Sequence, residues 1–395
     1  MAYRVAVYNA ISASGLGRFA APHYAVGKAL ADPDAILLRS HALQLSEIPA
    51  TVKAIARAGA GVNNIPVEEM TKRGVPVFNA PGANANAVKE LVIAAVLLAA
   101  RNVVPAIGYV HSLAASPDFE KRVEDGKKQF AGVELPGRTL GIIGLGAIGG
   151  LVAETAIRLG MKVTGYDPEI TVDNAWRLPG SVKRAASIED VLKASDFVTV
   201  HVPLNGHTRH MIGRERLAVA KKGMALLNFS RDAVVDEEAV LASIADKRLR
   251  AYICDFPSER LQGQPGVVAL PHLGASTEEA EENCAVMVVD QLKAFLEEGA
   301  IANAVNFPSV DMARESPHRI AIANANVPNM VGQISTTMAQ AGLNIHNMVN
   351  KSKGEMAYTL VDLDSEAAPE LLARIAHIPG VLSIRAIPPI SGSAK

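Results

Sequence analysis

The feature that most restricts the fold of this 395-residue chain is a regular alternation of strands and helices in its middle. Between residues 139 and 270, short apolar runs read as strands, and helical stretches separate most of them: TLGIIG, KVTGYD, DFVTVHV, GMALLNFS, RAYICD and VVAL. Parallel strands need a long crossover between them, which is usually a helix. The alternation therefore predicts a parallel, doubly wound α/β sheet.

The first of these strands leads into the glycine-rich loop GIIGLGAIGG, and a helical stretch follows. In such a loop Gly144 permits a tight turn, Gly146 lets a pyrophosphate approach the backbone, and Gly149 lets helix and strand pack closely. The helix N-terminus then offers free N–H groups to the phosphates. The next strand ends in Asp167, where a carboxylate can bond to ribose hydroxyls and would repel a 2′-phosphate. The pattern predicts NAD rather than NADP as the cofactor.

Three side chains of complementary chemistry follow strands of the same predicted sheet: Arg231 after ALLNFS, Glu259 beyond AYICDF and His272 after VVAL. Ligands of doubly wound sheets bind beyond the carboxyl ends of the strands, so we expect the three groups beside the dinucleotide. An imidazole suits proton transfer at the oxygen of a 2-oxo or 2-hydroxy acid, and a carboxylate can fix its tautomer. An arginine can bind the acid's carboxylate. For each residue alone, an ordinary structural or surface role is the better explanation; together the three favour catalysis.

The segments on either side of this alternation predict further domains. The first hundred residues contain the strand-like runs RVAVYN, AILLRS and VPVFNA, with helical stretches such as TVKAIARAG between them. Long helices are predicted at residues 86–101 and 277–298. The stretch IANAVNFPSVDMARESPH has two prolines and no clear period, which predicts a linker. The tail follows the order β-α-β-β-α-β, which predicts a ferredoxin-like unit.

Composition excludes several classes of protein. Aromatic residues make up only 4% of the chain and net charge is −1, so a core of small aliphatic residues is expected and nucleic acid is not. Two cysteines, Cys254 and Cys284, exclude a disulfide framework and a cysteine-rich zinc site, and no metal is predicted. The longest apolar run, LVIAAVLLAA, is shorter than the roughly 20 residues that span a bilayer. With no signal-peptide pattern at the N-terminus, we expect a soluble, cytoplasmic protein that does not bind membranes.

Four stretches resemble the D-2-hydroxyacid dehydrogenases, and within that family the phosphoglycerate dehydrogenases: GRTLGIIGLGAIGG…GYDP, HVPLNGHTRHMI, LLNFSRDAVVDEEAV and LPHLGASTEEA. The resemblance covers nearly the whole chain. It implies a doubly wound NAD domain at residues 101–284, inserted in a flavodoxin-like substrate domain formed by residues 1–100 and 285–310. It also implies a ferredoxin-like ACT regulatory domain at residues 318–390.

The resemblance also implies roles for residues of the middle domain. Arg231 binds the carboxylate and carbonyl of the substrate, Glu259 orients the histidine, and His272 is the acid/base. The residues implied at the cofactor are Gly144, Gly146, Ala147, Ile148, Gly149, Asp167, His201, Val202, Pro203, Thr208, Asn228, Phe229, Ser230, Asp255, Gly274 and Ala275. The family usually reads Asp-Val-Phe before its catalytic Glu, whereas this chain reads ICDFPSER, so Cys254 stands where that Asp would be. We expect Asp255 to take its place on the nicotinamide side.

For the outer domains, the resemblance implies a small phosphorylated acid as substrate. The reaction would be oxidation of D-3-phosphoglycerate to 3-phosphohydroxypyruvate, the first step of L-serine synthesis. The implied distal contacts are Arg39, Ser40, Arg57, Ala60, Gly61 and Asn84. The ACT resemblance implies an L-serine site at a dimer seam, and hence a homo-oligomer (a dimer or tetramer), with candidate effector residues Asn324, Asn326 and Asn344. In this tail Asn324 replaces a common His, and Asn329 replaces a Gly, for which Asn is a suitable substitute because it tolerates positive φ.

Two alternatives remain open for the function. The first is a hydroxypyruvate or glyoxylate reductase, against which the tail and the two N-terminal arginines argue. The second is a non-catalytic, NAD-sensing binding protein that uses the same fold, as some corepressors do. The combination of Arg231, Glu259 and His272 favours catalysis, although such binding proteins can keep these residues. For the tail, the alternative is a dimerisation module that binds no ligand.

Overall fold

The computed structural model describes residues 2–28 and 30–388, which divide into two compact units. One unit comprises Met1–Asn84 with Glu278–Lys395, and the other comprises Ala85–Thr277. These limits differ from the predicted limits at 100/101 and 284/285. The helix that starts at residue 85 packs against the helix Ala147–Arg158 and the strands Met224–Asn228 and Leu249–Cys254, and it therefore belongs to the second unit. The tail predicted as a separate domain belongs by its contacts to the first unit; its predicted last two residues, 389 and 390, lie outside the described residues.

The first unit begins with a five-stranded, all-parallel sheet of strand order β2-β1-β3-β4-β5, which is the predicted flavodoxin-like order. The stretch 51–59, predicted as helical, instead contains β4, since its short apolar run is buried in the centre of the sheet and periodicity alone does not distinguish the two. A 3-10 turn covers Leu45–Glu47. The elements are β1 (Tyr3–Val7), α1 (Ala13–Leu16), β2 (Tyr24–Gly27), β3 (Ala35–Leu38), β4 (Ala54–Arg57), α2 (Val67–Lys72) and β5 (Val77–Phe78).

The second unit is a seven-stranded parallel sheet of order β12-β11-β10-β9-β6-β7-β8, with helices on its faces. This is the Rossmann order and confirms the predicted doubly wound sheet. Short 3-10 turns cover Lys127–Phe130 and Asp232–Val234. The elements are α3 (Ala85–Arg101), α4 (Val103–Ser112), α5 (Phe119–Gly126), β6 (Thr139–Ile143), α6 (Ala147–Arg158), β7 (Lys162–Tyr166), α7 (Val172–Arg177), β8 (Lys183–Arg184), α8 (Ile188–Ala194), β9 (Phe197–Val200), α9 (Arg214–Ala218), β10 (Met224–Asn228), α10 (Glu237–Ala245), β11 (Leu249–Cys254) and β12 (Val267–Ala269).

Six neighbouring strands of this sheet end in a single row. Each last residue is paired in register with the last residue of the next strand, in the order Tyr166, Ile143, Val200, Asn228, Cys254 and Ala269. The strands are parallel, so the segments that follow them leave the sheet side by side at its carboxyl edge. This row positions every candidate residue of the second unit described below.

The first unit continues with a long helix and a four-stranded antiparallel sheet of order β14-β15-β13-β16, which confirms the predicted β-α-β-β-α-β order of the tail. Two helices cover one face of this sheet, where Ile320 and Ile322 pack against Ile334 and Ile375. The elements are α11 (Glu278–Glu298), β13 (His318–Ala325), α12 (Met330–Gln340), β14 (Ile345–Lys353), β15 (Met356–Leu363), α13 (Pro369–Ala376) and β16 (Val381–Ile387).

The segment between α11 and β13, predicted as a linker, is irregular backbone that packs in part against the core. Phe307 and Val310 are buried in it, and isolated bridges join Val310 to Ile301 and Ala304 to Phe78. Its apolar residues belong to the same core as α11 and the inner face of the tail's sheet. Irregular backbone can be buried without a regular apolar period, provided that its polar groups are paired.

A buried ion pair fixes the tail against the end of α11. The Arg319 guanidinium donates to both carboxylate oxygens of Asp362, at 2.7 and 2.9 Å, and its Nη1 donates to the carbonyl of Glu298 at 3.1 Å. Asp362 also accepts the N–H of Glu315 at 2.8 Å. Two fully buried charges persist only when paired and hydrogen-bonded, so these contacts specify one arrangement of the tail within its unit.

Among the described residues, no helix by itself has the length and apolar composition needed to cross a membrane. Within the described part of the chain, α3 and α4 are the only pair of helices that together have this length and apolar composition, and a bend of 62° separates them. Cys254 and Cys284 are free and buried.

Candidate active site

The glycine loop after β6 leaves room for a phosphate where a dinucleotide fold needs it. Gly144 has a φ of +93°, and a Cβ on it would lie 2.5 Å from the carbonyl oxygen of His201. A Cβ on Gly149 would lie 2.0 Å from the carbonyl oxygen of Gly144, whereas one on Gly146 would meet nothing within 4 Å. The first and third glycines thus permit the turn and the close packing, and the second leaves the backbone open to a ligand. Ala147 and Ile148 form the first turn of α6, whose leading N–H groups have no acceptor within the helix.

Asp167 is held beside this loop by the backbone. One carboxylate oxygen accepts the N–H of Leu145 at 2.8 Å, and the other accepts the N–H of Glu169 at 2.9 Å. A carboxylate has about four acceptor positions, so lone pairs remain for hydroxyl donors. The glycine loop and the anchored carboxylate together fit the phosphates and a ribose of NAD.

The segment after β9 carries a neutral histidine. His201 Nε2 lies 2.9 Å from Thr199 Oγ1, and its Nδ1 is buried without a partner among the described residues. Burial lowers the pKa of His201 to about 3, so the ring is uncharged at ordinary pH. Val202 and Pro203 follow it, and Thr208 closes the segment by donating from Oγ1 to the carbonyl of Pro203 at 2.6 Å. These contacts shape a loop beside the predicted cofactor.

Asn228 organises the turn after β10. Its side chain is fully buried; Nδ2 donates to the carbonyl of Arg231 at 2.8 Å, and Oδ1 accepts from Ser230 Oγ at 2.9 Å. Phe229, between them, is buried. Arg231 is half-buried and donates from Nη1 to the carbonyl of Ser230 at 2.6 Å. The amide of Asn228 therefore sets the backbone from which Arg231 extends.

Asp255, directly after β11, fastens the next loop. Its carboxylate is buried and accepts the N–H groups of Leu273 and Gly274, each at 2.7 Å. Burial raises the pKa of Asp255, although these two hydrogen bonds act in the opposite direction. A Cβ on Gly274 would lie 3.0 Å from the same carboxylate, which explains the glycine; Ala275 follows it half-buried. The carboxylate thus faces the loop 272–275, and its expected role on the nicotinamide side stays a prediction.

His272 is presented by that loop at the carboxyl edge. It has a left-handed φ of +54°, and its backbone N–H donates to the carbonyls of Asp255 and Leu270 at 3.1 and 3.0 Å. The exposed imidazole lies against Phe256, with 4.8 Å between ring centroids. Glu259 is also exposed, and no hydrogen bond or ion pair joins it to His272 in the described chain. The two side chains make no direct bond here, so the orienting role of Glu259 stays a prediction.

The predicted substrate residues lie at the carboxyl edge of the first unit's own sheet. Arg57 ends β4 in register with the last residue of β3, and Arg39 follows β3. Arg57 Nε donates to the carbonyl of Arg39 at 3.0 Å, and Arg39 Nη1 contacts Glu281 of α11 at 2.7 Å. The structure therefore brings the two arginines together. The smaller predicted contacts in the adjoining loops are exposed or half-buried: Ser40, Ala60, Gly61 and Asn84.

Sequence reasoning missed several polar residues of this edge. The ring of His41 stacks on Tyr8, with 4.7 Å between centroids, and its backbone N–H donates to Asn9 Oδ1 at 2.6 Å. Asn64 Nδ2 donates to the carbonyls of Arg39 and His41 at 3.2 and 2.7 Å. Tyr8, Asn9 and His41 could have been found by the rule that identified Arg39, since each follows a strand of the same parallel sheet.

The three predicted effector residues of the tail do not form one site within a chain. Asn324 is buried, and its Nδ2 donates to the carbonyl of Ala325 at 2.8 Å. Asn326 donates hydrogen bonds to the carbonyls of Gly354 and Glu355, just before β15. The carbonyl of Asn344 instead accepts the N–H of Asp364, just after β15. A strand of that length spans about 25 Å, so one small ligand cannot reach both ends of it. Asn329 adopts the predicted positive φ, at +63°.

Comparisons with known proteins agree with this architecture. Residues 93–274 match the family described as D-isomer specific 2-hydroxyacid dehydrogenase, NAD binding domain. The D-3-phosphoglycerate dehydrogenase of Escherichia coli (strain K12) is 32% identical over 342 residues, which are 82% of this chain and 79% of that protein. The protein of the same name from Methanocaldococcus jannaschii is 34% identical over 362 residues, 87% of this chain and 65% of that protein.

Solved structures show the same fold. The NAD+-bound 3-phosphoglycerate dehydrogenase of Entamoeba histolytica is similar with a TM-score of 0.61 and 25% identity, over 77% of this chain and 99% of that one. The D-mandelate dehydrogenase of Rhodotorula graminis has a TM-score of 0.66 and 23% identity, over 77% and 97% of the two chains. The family match over residues 93–274 and the relatives at 32% and 34% identity show that the chain belongs to the D-isomer-specific 2-hydroxyacid dehydrogenases, which are NAD-dependent oxidoreductases.

Proposed function

We propose that this dehydrogenase oxidises D-3-phosphoglycerate to 3-phosphohydroxypyruvate, the entry step of L-serine synthesis. The observation that carries the choice of substrate is the pair Arg39 and Arg57, joined by a hydrogen bond at the carboxyl edge of the first unit's sheet. Two guanidinium groups suit a phosphate, because charge-assisted bonds to its oxygens are strong and directional. The relatives named above support the same substrate.

The residues of the second unit have separate roles in this proposal. Bound NAD+ supplies the hydride acceptor. His272 takes the proton of the substrate's C2 hydroxyl, a task that suits an exposed imidazole. Arg231, on the turn set by Asn228, binds the carboxylate and polarises the oxygen at C2. Glu259 stabilises the imidazolium that His272 forms when it accepts this proton, after the Glu259 carboxylate has moved to the imidazole ring.

Two further features belong to the proposal. The helix α4 has no buried residue, and Val104, Ile107 and Val110 are 39%, 51% and 40% exposed, as expected of a surface that a second copy covers. We therefore propose that the protein is a homo-oligomer.

We also propose that the tail binds L-serine as an effector. Because Asn326 and Asn344 lie at opposite ends of β15, the two residues of one L-serine site would come from two copies of the chain.

The substrate is tested by measuring NADH oxidation with 3-phosphohydroxypyruvate, hydroxypyruvate, glyoxylate and 2-oxoglutarate. We expect kcat/KM to be highest for the phosphorylated acid, by about tenfold or more, since each hydrogen bond to a charged group contributes about 1.5–3 kcal/mol. Preference for the unphosphorylated acids would favour a hydroxypyruvate or glyoxylate reductase. NADH binding with no turnover of any acid would favour an NAD-sensing protein.

The acid/base role is tested with His272→Ala. We expect kcat to fall by about 10² to 10⁴, as on removal of a general acid/base, while the affinity for NADH stays unchanged. The ring is exposed and lies against Phe256, so the variant should fold. Near-wild-type turnover would return His272 to a structural role.

Cofactor choice is tested with Asp167→Ala. We expect NAD+ affinity to fall about tenfold or more through lost hydrogen bonds, and discrimination against NADP+ to shrink because the repelling charge is gone. Asp167→Asn is the matched control: it keeps the size and one acceptor for the backbone N–H groups. Unchanged kinetics with both cofactors would contradict the assignment.

Assembly and effector are tested together on the intact protein. We expect a mass in solution of a dimer or tetramer, and a melting temperature that rises with L-serine as ligand binding stabilises the folded state. Asn344→Ala should abolish that rise without changing the mass. A monomer, or a serine-independent rate and melting temperature, would contradict the respective part of the proposal.

A further inference from the structure

We propose that Glu281 is an internal competitor for the substrate's distal phosphate: its carboxylate occupies Arg39 until the phosphate displaces it. Glu281 thereby sets the affinity for phosphorylated substrates without affecting acids that lack a distal anion. It acts through Arg39 and is a positioning residue, not a catalytic one. The inference rests on the proposed function, in which Arg39 binds the phosphate.

The contact lies where the substrate phosphate is proposed to bind. Arg39 Nη1 is 2.7 Å from Glu281 Oε1, and Glu281 lies in the first turn of α11. Arg57 donates to the carbonyl of Arg39, so both guanidinium groups belong to this edge. One turn along α11, burial raises the pKa of the Cys284 thiol, and the charges of Arg39 and Arg57 oppose that rise. The beginning of α11 is therefore in contact with Arg39.

The pair is exposed enough to open. The side chains of Arg39 and Glu281 are 33% and 44% exposed, so the carboxylate can move into solvent without leaving a buried charge behind. The buried pair of Arg319 and Asp362 in the same unit has no such freedom, with side-chain exposures of 1% and 0%. Of these two ion pairs, only the one on Arg39 can exchange its carboxylate for an incoming anion.

Glu281 lowers the affinity for a phosphate through its contact with Arg39. A phosphate must break this ion pair before it can bind the Arg39 guanidinium, and the free energy of the pair is subtracted from the free energy of binding. Removing the charge should therefore tighten binding of any substrate with a distal anion. For an exposed ion pair the effect is limited to about two- to fivefold in affinity. A substrate without a distal anion leaves the pair closed and gains nothing.

The test compares Glu281→Gln with the wild-type enzyme on 3-phosphohydroxypyruvate and on hydroxypyruvate. We expect KM for the phosphorylated acid to fall about two- to fivefold, with kcat unchanged and kcat/KM for hydroxypyruvate unchanged. Glu282→Gln is the matched control, because it removes the same charge from the same helical turn but its carboxylate accepts from Ser14 Oγ, at 3.1 Å, and not from Arg39. It should change neither KM.

A double-mutant cycle shows whether Glu281 acts through Arg39. In an Arg39→Gln background, the effect of Glu281→Gln on KM should vanish. A KM for the phosphorylated acid that is unchanged or raised by Glu281→Gln overturns the inference, as does an equal fall for hydroxypyruvate or an effect that persists without Arg39. If the wild-type enzyme does not prefer the phosphorylated acid, the proposed function fails and the inference fails with it; if it does prefer that acid, those results overturn the inference alone.

Discussion

Parallel strand pairing is the constraint on which the rest of this structure depends. The five-stranded sheet of the first unit and the seven-stranded sheet of the second unit are both entirely parallel. Within each of these sheets, the carboxyl ends of all strands therefore lie at the same edge. Each such sheet collects the polar segments that follow its strands, however distant they are along the chain. In the second unit this edge holds the glycine loop, Asp167, Arg231 and His272; in the first it holds Arg39 and Arg57.

Buried polar side chains then convert strand ends into defined loops. Asn228 and Asp255 are fully buried, and each uses its oxygens or amide to hold backbone groups of the turn beyond. Leaving such groups unpaired would cost about 1–3 kcal/mol each, so the loops have little freedom to rearrange. The exposed imidazole of His272 stands on one of these fixed loops. Within the second unit, buried residues therefore hold the backbone in place, and an exposed side chain extends from it.

Much of this was predictable because short-range patterns carry it. The alternation of apolar runs predicted the order of strands and helices, and the β-α-β-β-α-β order of the tail was confirmed. The glycine spacing identified the loop beside Asp167. An error arose where an apolar run was short: β4 was predicted as helix. The segment with Phe307 and Val310 was predicted as a linker, and the sequence did not indicate that these two residues are buried. In both cases burial by distant segments, which has no local signature, decided the structure.

The sequence by itself determined the fold class, the cofactor loop and the chemical types of the candidate residues, because backbone sterics and hydrophobic periodicity act over a few neighbouring positions. Only the tertiary structure decided which side chains meet. It joined Asp255 to the His272 loop, left Glu259 without a bond to that histidine, and placed Glu281 on Arg39, 242 positions away along the chain. Contacts of this kind depend on the packing of α11 and the loops against sheet edges, where distances of a few ångströms separate a salt bridge from no interaction. No spacing rule along the chain encodes those distances.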